Sequence, residues 1–551
     1  MNTGDIANIR ETAEHDRKKA TLTDYRGRIL SFIVYIATEY PQYYDDLVIE
    51  LGPNADDPDT GLRYFGYKRD LRYGKLSSDL VKSFMAKKKI KKFILPKGED
   101  AARRALAENP TRADKLFSHV HVRKYHDAIL WGAEQVGFCL SSSYQQDMKK
   151  FLDNYKKEFQ SWKDKGLVSG SDADPFSFSL YHCVCVWLLT HGYIFGWFFL
   201  ICQWNCMARS INIDGLSLNH LRMGASDSIV IKFDKTKKDQ SGENCFNKNI
   251  FANPLEPYIC FFLGLGVYCS IESEKLSKGP GLFLKVGAAV GSASKTFCDL
   301  LLRIVREFPV VVAHHVRVTR FNAHGVRKGA GTYSVSCSTV PPPLVSIAHR
   351  GDWSMGKVFD IYFNFGTTGD SYLGRVLTGL DPNSDEFAIL PPHFKNVEEV
   401  IEEGLCSLFD KLPEVYPDLK GVWMFGLASV VYHSDFLLNI MVEYPGNPIS
   451  QIPLLQNPEL LAELKKVVSM TSCSKMKATG VPPHVEQMSL LRKVYTQLCA
   501  VIGGFESQTE KMVLAVREAI NSNDVRSGNL TLNTLEVSNN FMSYIFIFDL
   551  Y

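Results

Sequence analysis

The sequence predicts a mainly α protein with a small antiparallel β-sheet, an α+β class, on three observations. Apolar residues recur at three- and four-residue steps through most of the chain. Only two short stretches read as strands, DSIVIKF (227–233) and the alternating PVVVAHHVRVTRF (309–321). Turn-rich loops such as GPNADDPDTG and LPKGED separate the helical pieces.

The 551 residues suffice for three or four domains, and 45% hydrophobic with 22% charged residues is ordinary globular usage. A net charge of +2 neither requires nor excludes a polyanionic partner, because binding depends on local patches. The 13 cysteines form no disulfide framework and no C-x-x-C pair, which fits a reducing compartment. The first residues lack an apolar core, so no secretory signal is expected.

Residues 1–22 are polar and are expected to be a flexible lead. Residues 23–168 read as a helical domain built from RGRILSFIVYIATEY, SSDLVKSFMAKKKIKKF, DAARRALAEN, HVRKYHDAILWGAEQVGF and QQDMKKFLDNYKKEFQSWKDK. KGLVSGSDADP, rich in Gly, Ser and Asp, is the natural linker. Pro175 to Ala208 then runs without Asp, Glu, Lys or Arg. About 20 apolar residues suffice for a membrane span. His182, Thr190, His191, Gln203 and Asn205 interrupt this run, however, and it leads straight into Arg209, so two buried core helices and no membrane are expected. His182, Cys183, Cys185, His191, Cys202 and Cys206 fit no common zinc spacing and read as core, with no metal expected. Beyond the first strand, NPLEPYICFFLGLGVYCSI opens a helix with proline, and VRKGAGTYSVSC starts another. Residues 175–395 form the second domain, and 396–551 a mostly helical C-terminal extension whose role the sequence leaves open.

The chemistry concentrates between His324 and Tyr362. His324 and Arg327 lie one helical turn apart, Trp353 follows, and Tyr362 comes nine residues after the tryptophan; Arg209 and Lys237 stand upstream. Cleaving a phosphodiester with a tyrosine requires cations against the charge growing on the non-bridging oxygens. Arginines suit that task because their planar forks bind phosphate bidentately and remain charged. A lysine can protonate the leaving oxygen, and the same cationic surroundings activate the phenol. H-x-x-R alone is weak evidence, since His314 and Arg317 repeat it inside the alternating run, where residues three apart face opposite sides. Tyr333 and Tyr372 are poorer nucleophile candidates than Tyr362, and His349 lies too far ahead of Tyr362 for the usual slot.

This order of Arg209, Lys237, His324, Arg327, Trp353 and Tyr362 resembles the tyrosine recombinase family. The stretches RSINIDGLSLNHL, IKFDKTKKDQSGEN and WSMGKVFDIYFNFGTTGDSYLGRVLTGL are most similar to Crypton-type transposon recombinases of eukaryotes. The resemblance covers about residues 175–395. It implies a recombinase catalytic domain preceded by a helical core-binding domain. It also implies a site-specific recombinase or transposase working through a 3′-phosphotyrosyl intermediate with neither ATP nor metal, so no cofactor is expected. Double-stranded DNA and a homo-tetrameric synaptic complex are the implied partners, and the nucleus the implied location. Lys235 and Lys238 compete with Lys237 as general acid. The family often carries an acidic residue three positions after the first arginine, where this chain has Asn212. Lys87, Lys88, Lys89, Lys91 and Lys92 form the densest basic block, and with Lys235 and Arg350 they are the candidate DNA contacts. A domesticated, catalytically silent DNA-binding regulator is the alternative reading, and a relaxing topoisomerase shares the same chemistry.

Overall fold

The computed structural model describes residues 19–50, 69–88, 117–164, 173–234, 246–283, 292–308, 321–356, 367–395, 399–472 and 476–521. Within these the protein is mainly helical with small antiparallel sheets. The chain divides into two compact units, Met1–Asp172 and Ala173–Tyr551.

In the first unit, α1 (Lys19–Glu39), α2 (Ser78–Lys88), α3 (His119–Gln135) and α4 (Ser142–Asp164) bury Phe32, Phe84, Val122 and Met148 in one core. A two-stranded antiparallel sheet, β1 (Val48–Glu50) with β2 (Arg69–Leu71), completes it.

In the second unit the charge-free run folds as two 13-residue helices, α5 (Phe178–Thr190) and α6 (Ile194–Cys206), broken at Gly192. Its aromatic side chains are core: Trp204 stacks on Tyr181 at 4.2 Å, and its indole N–H donates to the Leu377 carbonyl. The polar residues of the run are structural. Gln203 donates to the carbonyls of Ala208 and Ala323, and Asn205 to that of Ile201. His182 pairs with Glu256 at 3.0 Å. Cys185, Cys202 and Cys206 are buried, and burial pushes their thiols up. Among the described residues no single helix is long and apolar enough to cross a membrane; one bent pair, Pro417–Tyr432 with Ser434–Glu443, meets the length and composition test at 60°.

A short helix, α7 (Ser210–Asp214), leads to a three-stranded antiparallel sheet, β3 (Leu221–Met223), β4 (Ile229–Ile231) and β5 (Lys248–Ile250). It pairs Leu221 with Ile231 and Ile229 with Ile250. The first expected strand, DSIVIKF, is therefore the central strand, while the second, at 309–321, falls almost wholly outside the described residues. Helices α8 (Phe261–Ile271), α9 (Ser292–Glu307), α10 (Ala323–Ser336), α11 (Leu344–Arg350) and α12 (Thr367–Leu377) follow.

The region after 395 does not stand apart as a separate extension. Helices α13 (Glu399–Phe409), α14 (Lys420–Tyr432) and α15 (Pro458–Val467) bury Leu405, Trp423, Val430 and Leu464 in the same core as Trp197 and Phe262. The reason is compositional: α14 is apolar on all sides, and such a helix is stable only when surrounded. β6 (His393–Phe394) pairs antiparallel with β7 (Val468–Ser469) and ties both ends of this region together. A 39-residue helix, α16 (Pro483–Asn521), ends the described chain.

Candidate functional site

The site is assembled by two helix ends and one turn. Met207, in the left-handed conformation (φ 47°), stops α6, and Arg209 follows as the residue that opens α7. Opposite, Asn322 caps α10 by accepting from the His324 N–H at 2.9 Å, which sets His324 at the helix start and Arg327 one turn later. Gln203, bonded to both Ala208 and Ala323, joins these two ends.

The third part is the turn Gly351–Asp352 after α11. The Arg327 Nη2 donates to the Gly351 carbonyl, and the Arg209 Nη1 lies 3.9 Å from the Asp352 carboxylate. One turn thus engages both arginines, immediately ahead of Trp353. The Trp353 ring lies 5.5 Å from the Arg327 guanidinium carbon, within cation–π range. It rests on two glycines: a Cβ on Gly331 would come within 2.7 Å of the ring, and one on Gly351 within 2.9 Å. Gly331, one turn after Arg327, and Gly351 therefore leave room for the indole.

Arg327 is 2% exposed, yet its Nε and Nη1 are buried without a hydrogen-bond partner, as is the Arg209 Nη1. Buried N–H groups are nearly always paired, so orphaned charged donors mark a place prepared for an acceptor. Burial, with Arg209 as a second positive charge nearby, lowers the Arg327 pKa to about 10, and Asp352 opposes the shift. The group stays charged at neutral pH. An oxyanion entering here would meet donors already desolvated and held.

Asp352 and Lys248 were not anticipated from the sequence. Asp352 is a non-glycine residue at φ 47°, a conformation costing on the order of 1–2 kcal/mol, and its carboxylate supplies Arg209 with the acidic partner that Asn212 does not. Lys248 is buried on β5 and donates to the Arg350 carbonyl; burial lowers its pKa, and Asp352 opposes the shift. Its signal, a lone lysine in FNKNIF, could not be told from a surface charge.

Arg350 corrects an expectation. Rather than reaching DNA, it is 1% exposed and fully engaged: Nη1 to Asp370 at 2.6 Å, Nε to the Asn205 carbonyl and Nη2 to the Asn249 carbonyl, each at 2.9 Å. It holds the floor beneath the turn. His349 stacks on Phe246 at 4.3 Å, and Tyr333 is half-buried against the core, stacked on Phe178.

Lys237, Lys235 and Lys238, Tyr362, and Lys89, Lys91 and Lys92 lie outside the described residues, as does the second H-x-x-R at His314 and Arg317. The structure therefore brings together Arg209, Arg327 and Trp353, with His324 on the same capped helix. Lys87 is exposed and paired with Glu39 at 2.5 Å, and Lys88 lies over the Phe84 and Tyr125 rings. Among the described residues no group of three or more His, Cys, Asp or Glu could hold a metal ion. No protein-family model matches the chain, and no curated protein matches it.

Proposed function

We propose that the protein is a site-specific DNA recombinase or transposase of a mobile element, cutting and rejoining double-stranded DNA through a tyrosine. The observation that carries this reading is the pair of buried Arg327 and half-buried Arg209, with N–H groups lacking hydrogen bonds, gathered by one turn beside Trp353. The arrangement suits a single tetrahedral oxyanion.

In the proposed reaction the Tyr362 phenol gives up its proton to solvent and its oxygen attacks the scissile phosphorus as the bond to the 5′-oxygen breaks. The products are a 3′-phosphotyrosyl link and a 5′-hydroxyl, the latter taking its proton from Lys237 or a neighbouring lysine. Arg209, Arg327 and His324 neutralise the equatorial oxygens, and Trp353 packs against the phosphate. The phosphotyrosyl bond keeps the energy needed for rejoining, so the step consumes no nucleotide. Four copies on two duplexes, in the nucleus, would complete strand exchange.

The test is incubation with a nicked suicide duplex carrying the ends of the encoding element. A covalent protein–DNA adduct that disappears in Tyr362→Phe supports the proposal. An equal adduct in that variant rejects Tyr362 as nucleophile. Tight duplex binding with no adduct in any variant favours the silent regulator instead.

A further inference from the structure

Helix α16 carries a second kind of information. Its first turns are docked: Val485 is buried with Val376, Leu380 and Phe387, His484 bonds the Pro382 carbonyl at 2.8 Å, and Arg492 pairs with Asp385 at 2.6 Å. Beyond that anchor several large apolar side chains face outward, while Phe505 and Met512 are half-buried. Leu491 and Tyr495 are each 67% exposed, Leu498 48% and Ile502 49%.

These residues follow a rule. Leu491, Tyr495, Leu498, Ile502, Phe505, Thr509 and Met512 succeed one another by alternating steps of four and three, and Val516 continues the series in the sequence. A repeat of 3.5 residues sustained over more than three heptads is that of helices supercoiled left-handedly about one another, and a helix that merely covers its own domain has no need of it. Tyr495, Ile502, Thr509 and Val516 take the a positions, and Leu491, Leu498, Phe505 and Met512 the d positions. β-branched Ile502, Thr509 and Val516 at a, with Leu491 and Leu498 at d, follow the pattern found in parallel coils.

We propose that α16 is a self-association helix, forming a parallel, in-register coiled coil with other copies of this chain. Charge supports a like partner. The g positions hold Val494, Val501, Gln508 and Ala515, and the e positions Arg492, Cys499, Glu506 and Val513. In register, the facing g–e′ pairs are Val494 with Cys499, Val501 with Glu506 and Gln508 with Val513. No like charges oppose one another, and no charged row selects a different chain. Apolar Val494 and Val501, each 53% exposed, widen the seam beyond what two strands cover. A parallel bundle also places every anchored second unit at the same end, which brings the arginine turns of several copies near one another.

The experiment uses the full chain at roughly 20 µM, where a coil of micromolar affinity is populated. Sedimentation velocity should give a multiple of the monomer mass. The double variant Leu498→Glu with Ile502→Glu should sediment as a monomer while its near-ultraviolet spectrum is unchanged. A monomeric wild type, or a variant retaining the wild-type mass, overturns the proposal. In a Cys499→Ser background, Leu498→Cys, at a position that meets itself in register, should cross-link on mild oxidation at least ten-fold faster than Lys493→Cys on the outer face. Equal rates overturn the parallel register.

Discussion

Among the described residues of the second unit, four buried or half-buried arginines fall into two groups. Arg350 and Arg375 have every need met. The first binds Asp370 and two carbonyls, and the second binds Asp227 and the carbonyls of Thr479, Phe387 and Ile389. Asp227 also accepts from the Thr479 N–H and hydroxyl, so this pair fastens the start of β4 to the chain ahead of α16. Arg209 has one carboxylate at ion-pair distance and Arg327 one carbonyl, and both keep donors without a hydrogen bond. The satisfied arginines hold the fold together. The unsatisfied ones carry an unmet demand for an acceptor, which is a site's signature rather than a scaffold's.

The largest expected effect separates these groups by stability. Arg375→Met strands Asp227 as an uncompensated buried charge and should cost about 3–5 kcal/mol in denaturant unfolding. Arg327→Met removes a cation beside another cation and should change stability by less than about 1 kcal/mol. Comparable losses in both would erase the distinction.

A next effect of about 3 kcal/mol per site concerns acid. His126 in the first unit and His433 in the second are buried with unpaired Nε2 atoms, and burial lowers each pKa to about 4 from the ordinary 6.5. Between those values the unfolded chain binds protons that the folded chain refuses. Both units should hold full stability above pH 6.5 and lose it progressively as pH falls toward 4. His433→Phe should flatten that loss for the second unit alone. An unchanged pH slope of its melting would contradict the assignment.

Asp352 offers a smaller and opposite pair of effects. Asp352→Gly relieves a left-handed conformation and should raise stability by about 1 kcal/mol. It also frees Arg209 from its carboxylate, so adduct formation on the suicide duplex should slow about ten-fold if the carboxylate positions the guanidinium. Faster adduct formation would mean instead that the carboxylate competes with the phosphate.

Much of this was legible in the sequence, for local reasons. The charge-free run had to be buried helix, because its length is broken at Gly192 and its polar residues sit near helix ends. His324 and Arg327 followed from a cap and a helical step. The heptads of α16 are present as spacing but went unread, because nothing in the spacing alone says that this stripe is left exposed. Arg350 was misjudged because its partners, Asp370 and Asn249, are 20 and 101 residues away, and burial depends on that pairing. Asp352 went unseen because a backbone angle, not a motif, turns its carboxylate toward Arg209.

The most direct test of the unmet arginines is melting in sulfate against chloride of equal ionic strength, in wild type, Arg327→Met and Arg350→Lys. Sulfate strengthens burial in any protein, so the informative quantity is the saturable excess in wild type. The account predicts a saturable stabilisation that Arg327→Met abolishes and Arg350→Lys keeps, even if its baseline is lower. Equal sulfate responses in wild type and Arg327→Met would contradict it.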